Sequence, residues 1–177
     1  MKIKKSVPHA LAIYPTSRGF SFVYFESPLA PFDWGVKGVN AKDKNAHTLS
    51  EVKKLLERYR PDALVLEDSG DTGSRRSSRI RRLYRQIIDA AEKEVIDVFV
   101  YPKDAVLQCF ANYPIRSKYD IAKVIALHIE AFTHRLPPKR KIWQALDPRQ
   151  SLFDAAALGL TFYAAHGNTF DTYTKAP

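Results

Sequence analysis

The sequence predicts an α/β domain built on a mixed five-stranded sheet, three antiparallel strands followed by parallel ones, with helices on both faces. Three observations predict it. Two runs rich in β-branched and aromatic residues lie back to back between His9 and Glu26, an unbroken apolar run ends at Glu67, and helical periods separate that run from another at Asp97–Tyr101.

Taken in order, His9 to Glu26 is an apolar run, a Pro/Thr/Ser/Arg/Gly break and a second run, which reads as a β-hairpin. A third strand is expected over Phe32 to Val39 around Trp34, Val36 and Val39. Thr48-Leu-Ser-Glu51 has the form of a capping box, with Leu49, Val52, Leu55, Leu56 and Tyr59 at helical spacing until Pro61, so the first helix is expected from Leu49 to about Arg60. Ala63–Glu67 follows as a strand buried on both faces. Arg75 to Val95 has a helical period, and Asp97–Tyr101 is a fifth strand closed by Pro102. Further helices fit Asp104–Ala111, Lys118–Phe132 and Ser151–Ala165, the last rich in small apolar residues and opened by a second capping pattern, Ser151-Leu-Phe-Asp154. The expected domain is 1–167, with a loose tail over 168–177.

The chain of 177 residues suits one core. Lys and Arg number 28 against 19 Asp and Glu, a formal net charge of +9 that points toward polyanions. Cys109 is the single cysteine, so a disulfide framework is excluded and no Cys/His cluster has zinc-ligand spacing; a buried structural thiol is the expectation. Met1–Ser6 carries three lysines but no apolar run of signal length follows, nor any of membrane-spanning length, so a cytoplasmic protein without a membrane segment is expected.

Charge is concentrated in one helix. Arg75, Arg76, Arg79, Arg81, Arg82 and Arg85 fall within eleven residues. At 100° per residue Arg75, Arg79, Arg82 and Arg85 share a face, with Arg81 at its edge and Ile80, Leu83, Tyr84 and Ile87 opposite. Acidic partners at i±4 are scarce, so the row repels itself and fits a polyanion, and guanidinium suits bidentate phosphate contact. Arg18, Lys118 and Lys123, with Arg135, Lys139, Arg140 and Lys141, extend the candidate nucleic-acid surface. The aromatics of the second strand and the five scattered histidines read as core or surface residues.

Three segments, Ala12-Ile-Tyr-Pro-Thr-Ser-Arg-Gly-Phe20, Leu64-Val-Leu-Glu67 and Phe153-Asp-Ala-Ala-Ala-Leu-Gly-Leu160, occur in that order across most of residues 9–165. Together they resemble the RuvC-like Holliday junction resolvases of the ribonuclease H-like superfamily. The resemblance implies a ribonuclease H-like fold, cleavage of branched DNA with Mg²⁺ or Mn²⁺, Glu67 and Asp154 as catalytic carboxylates and metal ligands, and a homodimer, the commonest closed symmetry among oligomers. Two positions depart from the family. Tyr14 stands where its first-strand Asp bridges the metals, and Ser151 where a second helix acid often lies. A neutral phenol is a poor Mg²⁺ ligand. Asp68, Asp71 and Asp147 are the carboxylates available as substitutes, and Tyr14 reads either as a filler of the vacated space or as a degenerate catalytic position. Three functions stay open: a divalent-metal-dependent endonuclease with a degenerate carboxylate site, a catalytically inactive RuvC-like DNA-binding protein, and a structural or protein-binding subunit.

Overall fold

The computed structural model describes residues 7–70 and 76–167. Its strands are Ala10–Thr16 (β1), Gly19–Ser27 (β2), Ala30–Gly38 (β3), Ala63–Glu67 (β4) and Asp97–Tyr101 (β5). Its helices are Lys44–Tyr59 (α1), Ser78–Lys93 (α2), Lys103–Cys109 (α3), Lys118–His128 (α4), Glu130–Thr133 (α5) and Gln150–Ala165 (α6). The strands form one sheet in the order β3-β2-β1-β4-β5; β1–β2 and β2–β3 are antiparallel, β1–β4 and β4–β5 parallel. The mixed sheet expected from the sequence is present.

Strand alternation sorts the side chains into two cores. Ala10, Ala12, Val23, Phe25, Ala63 and Val65 face one layer and pack with Ile121 and Ile125 of α4 and with α6. Leu11, Ile13, Phe20, Phe22, Tyr24, Leu64 and Leu66 face the other, against Val52, Leu55 and Leu56 of α1 and Ile80, Leu83, Tyr84 and Ile87 of α2. On β1 and β4 the positions under α6 are small, Ala10, Ala12, Ala63 and Val65, and the helix comes close. A Cβ added at Gly159 would lie 2.4 Å from a ring carbon of Phe25, so a larger residue does not fit at that position.

The same alternation places polar residues. Tyr14 is in phase with Ala10 and Ala12, and Glu67 with Ala63 and Val65, so both belong to the α6 side of the sheet. The β1–β4 ladder pairs Ala12 with Val65, and extending its register sets Tyr14 opposite Glu67 at the carboxyl ends of the two strands. That is where α/β sheets build their sites.

Element boundaries differ from expectation where a stronger local contact exists. The first helix starts at Lys44, not Leu49: Asp43 is the N-cap, its Oδ1 accepting the Ala46 N–H at 3.0 Å, and Thr48 lies inside the helix, 2% exposed. Nor does Ser151 cap the last helix. Its hydroxyl donates to the Pro148 carbonyl at 2.7 Å and lies 2.5 Å from Ser21 Oγ on β2, and Arg149 holds the N-cap position without a side-chain cap. The single helix expected over Lys118–Phe132 breaks at Ile129, whose extended backbone brings both Ile129 and Phe132 into the α6-side core. The helix expected from Arg75 to Val95 begins at Ser78, with Ser77 as N-cap. Arg75, Asp71 and the 168–177 tail lie outside the described residues.

Candidate functional site

Tyr14, Glu67 and Asp154 line one pocket of about 250 Å³, together with Lys103, Arg116 and Lys118 and an apolar wall that includes Ile115, Ile121 and Leu158. Glu67 reaches it from the end of β4, and Asp154 from the first turn of α6. The two carboxylates predicted to meet are in the same pocket.

Each carboxylate is held by its own cation. Lys118 Nζ lies 3.1 Å from Asp154 Oδ2 and donates to the Tyr14 hydroxyl at 2.9 Å. Arg76 pairs with Glu67 and donates to the Pro15 carbonyl at 3.2 Å. Both cations also lie against the Tyr14 ring, Arg76 at 5.0 Å and Lys118 at 4.9 Å from its centroid. Tyr14 therefore contacts both ion pairs and joins the two halves of the pocket.

Lys118 is aimed by its helix. Ser117 caps α4 by accepting the Asp120 N–H at 3.3 Å, while Asp120 Oδ2 accepts the Arg116 N–H at 3.0 Å and the Ser117 hydroxyl at 2.9 Å. Gln150 of α6 donates to the Lys118 carbonyl at 3.4 Å. These bonds fix the first turn of α4 against the start of α6. Burial acts against the Lys118 charge, but Asp154 and Tyr14 outweigh it and hold the ammonium above its ordinary pKa. Burial likewise pushes the Asp154 carboxyl up; Lys118 pulls it back and Glu67 adds repulsion, leaving it above the usual carboxylate value. The lysine thus stays charged across the physiological range.

The donor set does not fit a pair of divalent ions. Hard cations need several converging oxygens. Here the two carboxylates are engaged by Lys118 and Arg76, the third position is a phenol, and the Ser151 hydroxyl is bonded to Pro148 and Ser21. Neither substitute carboxylate within the described residues lines the pocket: Asp68 accepts the Gly70 N–H at 2.8 Å, and Asp147 pairs with Arg149 at 2.7 Å. Among the described residues no group of three or more His, Cys, Asp or Glu could hold a metal. Cys109 offers no ready nucleophile, since burial pushes its thiol up to about 11.

The remaining predicted residues divide between structure and surface. Arg79 is half-buried and donates to Asn45 Oδ1 at 2.9 Å and to the Ser17 carbonyl at 3.3 Å, clasping α1 and the β1–β2 turn. Arg18 is exposed on that turn, and Arg81, Arg82 and Arg85 are exposed along α2, with no carboxylate within ion-pair distance among the described residues. Lys123 is paired with Asp120 at 2.9 Å. The pairing of Arg76 and Lys118 with the two carboxylates was missed, and helical phase gave a signal for Lys118 alone. Lys118, in the first turn of α4, is in step with the buried Ile121, Ala122 and Ile125, whereas Arg76 precedes the Ser77 cap of α2 and its contacts follow from the backbone ahead of the helix.

No family model matches the sequence, and no curated protein does. Solved structures do match the fold. RuvC of Thermus thermophilus superposes with a TM-score of 0.65 at 20% identity, covering 91% of this chain and 98% of that one. The same protein in complex with a Holliday junction substrate gives 0.61 at 19%, covering 91% and 98%. The yeast mitochondrial Holliday junction resolvase Ydc2 gives 0.59 at 12%, covering 90% of this chain and 80% of that one. At such identities the likeness concerns the backbone, and in its backbone this chain has the RuvC-like form of the ribonuclease H-like fold.

Proposed function

We propose that this chain is a nucleic-acid-binding protein of RuvC-like fold that engages branched or structured DNA and does not cleave it through the Glu67–Asp154 pocket. One observation carries the reading: Lys118 and Arg76 occupy the carboxylates that a metal pair would require. Exposed Arg18, Arg81, Arg82 and Arg85, which have no acidic partner among the described residues, supply the matching phosphate surface. One solved neighbour holds a Holliday junction and another is named as a junction resolvase, which makes a four-way junction the first ligand to try. A homodimer belongs to the same reading, because a junction offers two symmetry-related faces.

A four-way junction titrated with protein, in EDTA and then in Mg²⁺ or Mn²⁺, tests it. Junction binding in both conditions, weakened by Mg²⁺ or Mn²⁺ only as competition for phosphate requires, with no cleavage products is the expected result. Metal-dependent cleavage abolished by Glu67→Gln would establish the second reading, a divalent-metal-dependent endonuclease, which is favoured by the placement of Glu67 and Asp154 in one pocket. The double replacement Tyr14→Asp, Lys118→Ala restores a third carboxylate and removes one competing cation. Activity gained only in that variant would locate the deficit at those two positions.

A further inference from the structure

The loop between α5 and α6 carries an apolar tip on a basic stem. Lys141 to Gln144 form a tight turn, closed by the Gln144 N–H donating to the Lys141 carbonyl at 3.0 Å and by the Lys141 N–H donating to Gln144 Oε1 at 2.9 Å. Ile142 and Trp143 occupy its two central positions, which Gly, Asn, Asp, Ser and Pro normally favour. They are 93% and 80% exposed, and Leu146 beside them is 62% exposed. The tip is held out by structure at its root: Leu136 packs on the α6-side core, Pro137 is buried, and Gln150 at the far end is 8% exposed. At the tip, Lys141 Nζ lies 5.4 Å from the Trp143 ring centroid, and the Arg140 guanidinium donates to the Lys141 and Ile142 carbonyls at 3.4 and 3.5 Å.

Charge identifies what covers this tip. From His134 to Leu146 the chain has Arg135, Lys139, Arg140 and Lys141 and no acidic residue. A protein partner shielding Ile142 and Trp143 would have to neutralise or desolvate these cations, whereas a nucleic acid offers phosphates to them and an aromatic face to the indole at once. Trp also orders at low entropic cost, having two side-chain torsions.

We propose that Trp143 is a stacking platform for an unpaired or unstacked nucleobase, with Arg140 and Lys141 on the adjoining phosphates. The inference rests on the nucleic-acid reading above and assigns it a second contact, apart from the pocket and the α2 surface. Base–aromatic stacking needs an accessible base face, so the site discriminates single strands and open junction centres from closed duplex.

The test uses the full chain with three labelled probes: an oligothymidylate, a four-way junction and a blunt duplex. Trp143→Ala is expected to weaken binding to the first two by about fivefold or more and to leave the duplex within about twofold, while Trp143→Phe, which keeps an aromatic face, retains most of the affinity. The protein has two tryptophans, Trp34 being half-buried edge-on to Phe132 at 5.3 Å, so fluorescence quenched by the oligothymidylate in wild type and lost in Trp143→Ala reports the stacking directly. Melting curves check that the variants fold. If Trp143→Ala binds all three probes as wild type does, the stacking site is overturned and the nucleic-acid reading stands. Unchanged probe binding with a loss of self-association by sedimentation would also overturn it, reassigning the tip to a second copy of the chain. A wild-type protein that binds none of the probes removes both readings together.

Discussion

Arg76 turns inward onto Glu67 and the ring of Tyr14, and Lys118, its side chain 47% exposed, reaches Asp154 and the same ring, whereas Arg81, Arg82 and Arg85 are exposed along α2 with no carboxylate within ion-pair distance among the described residues. The same chemical types therefore do two kinds of physical work. A cation held against a carboxylate at low exposure strengthens both partners' dependence on each other, because removing one leaves the other desolvated and uncompensated. A cation facing water contributes little to folding and is available to a polyanion. The difference teaches that in a chain of net charge +9 the count of basic residues does not say which of them are held by carboxylates; the side-chain contacts do.

The largest effect that could break this contrast is on stability. Glu67 and Arg76 have side chains only 19% and 18% exposed. Glu67→Ala is expected to lower unfolding free energy by about 2–4 kcal/mol, the cost of breaking an ion pair held at low exposure. Urea unfolding measures it, and the loss should change little between low and moderate salt, since buried pairs are weakly screened. A loss below about 0.5 kcal/mol would mean that the pocket pair behaves like any surface pair, and the inward and outward cations would not differ in kind.

How much of the site was readable depends on how far apart in the chain its contacting residues lie. The hairpin and the strands Ala63–Glu67 and Asp97–Tyr101 were plain in the sequence because alternation and unbroken apolar runs need only local information. Glu67 and Asp154 could be brought together only through the resemblance, since their meeting depends on strand parity combined with the close approach of α6 at Gly159. Helix starts were less readable: Thr48 and Ser151 each satisfy a capping pattern, but Asp43 competes for the first, and the second hydroxyl is taken by Ser21 and Pro148. The pairing of Lys118 with Asp154 spans 36 positions, and no spacing rule reports it.

On the outward side, replacing Arg82 and Arg85 together by Ala should leave stability within about 0.5 kcal/mol. Junction affinity should instead fall, and the slope of log K against log salt should become shallower by roughly 0.9 for each phosphate no longer neutralised. Over a fourfold change in salt, two such phosphates amount to about a tenfold difference. Fluorescence anisotropy at several salt concentrations reads this. An unchanged slope would place the phosphate surface elsewhere, with Arg18 and the 135–141 loop the next to replace.

Tyr84 sharpens the inward side. Its ring lies 5.2 Å from the Arg76 guanidinium, while its buried hydroxyl has no hydrogen-bond partner among the described residues. Tyr84→Phe keeps the aromatic face under Arg76 and removes an unsatisfied polar group. Stabilisation of about 1 kcal/mol is the expected outcome in thermal or chemical unfolding. Destabilisation would show that the hydroxyl contributes to the packing of the Arg76–Glu67 pair.

The smallest effect concerns what aims Lys118. Asp120 lies two residues beyond it and is held below the usual carboxylate range by Lys123, by the Arg116 N–H and by Ser117. A depressed carboxylate contributes stability that is fully present above its unfolded pKa, about 3.9, and is lost as pH falls through the lower native value. The melting temperature of Asp120→Asn should therefore lie below that of wild type by a constant margin from neutral pH down to about pH 5, and the margin should close in stronger acid. Because the cap is exposed, the margin is small, and its diagnostic value lies in its shape. If the cap does aim Lys118, Asp120→Asn should also loosen the ammonium from Asp154 and Tyr14, visible as a shift of the Lys118 side-chain resonance at neutral pH. A margin that widens in acid would mean that Asp120 is not the group whose charge secures the start of α4, and that Gln150, through its bond to the Lys118 carbonyl, carries the positioning from α6 instead.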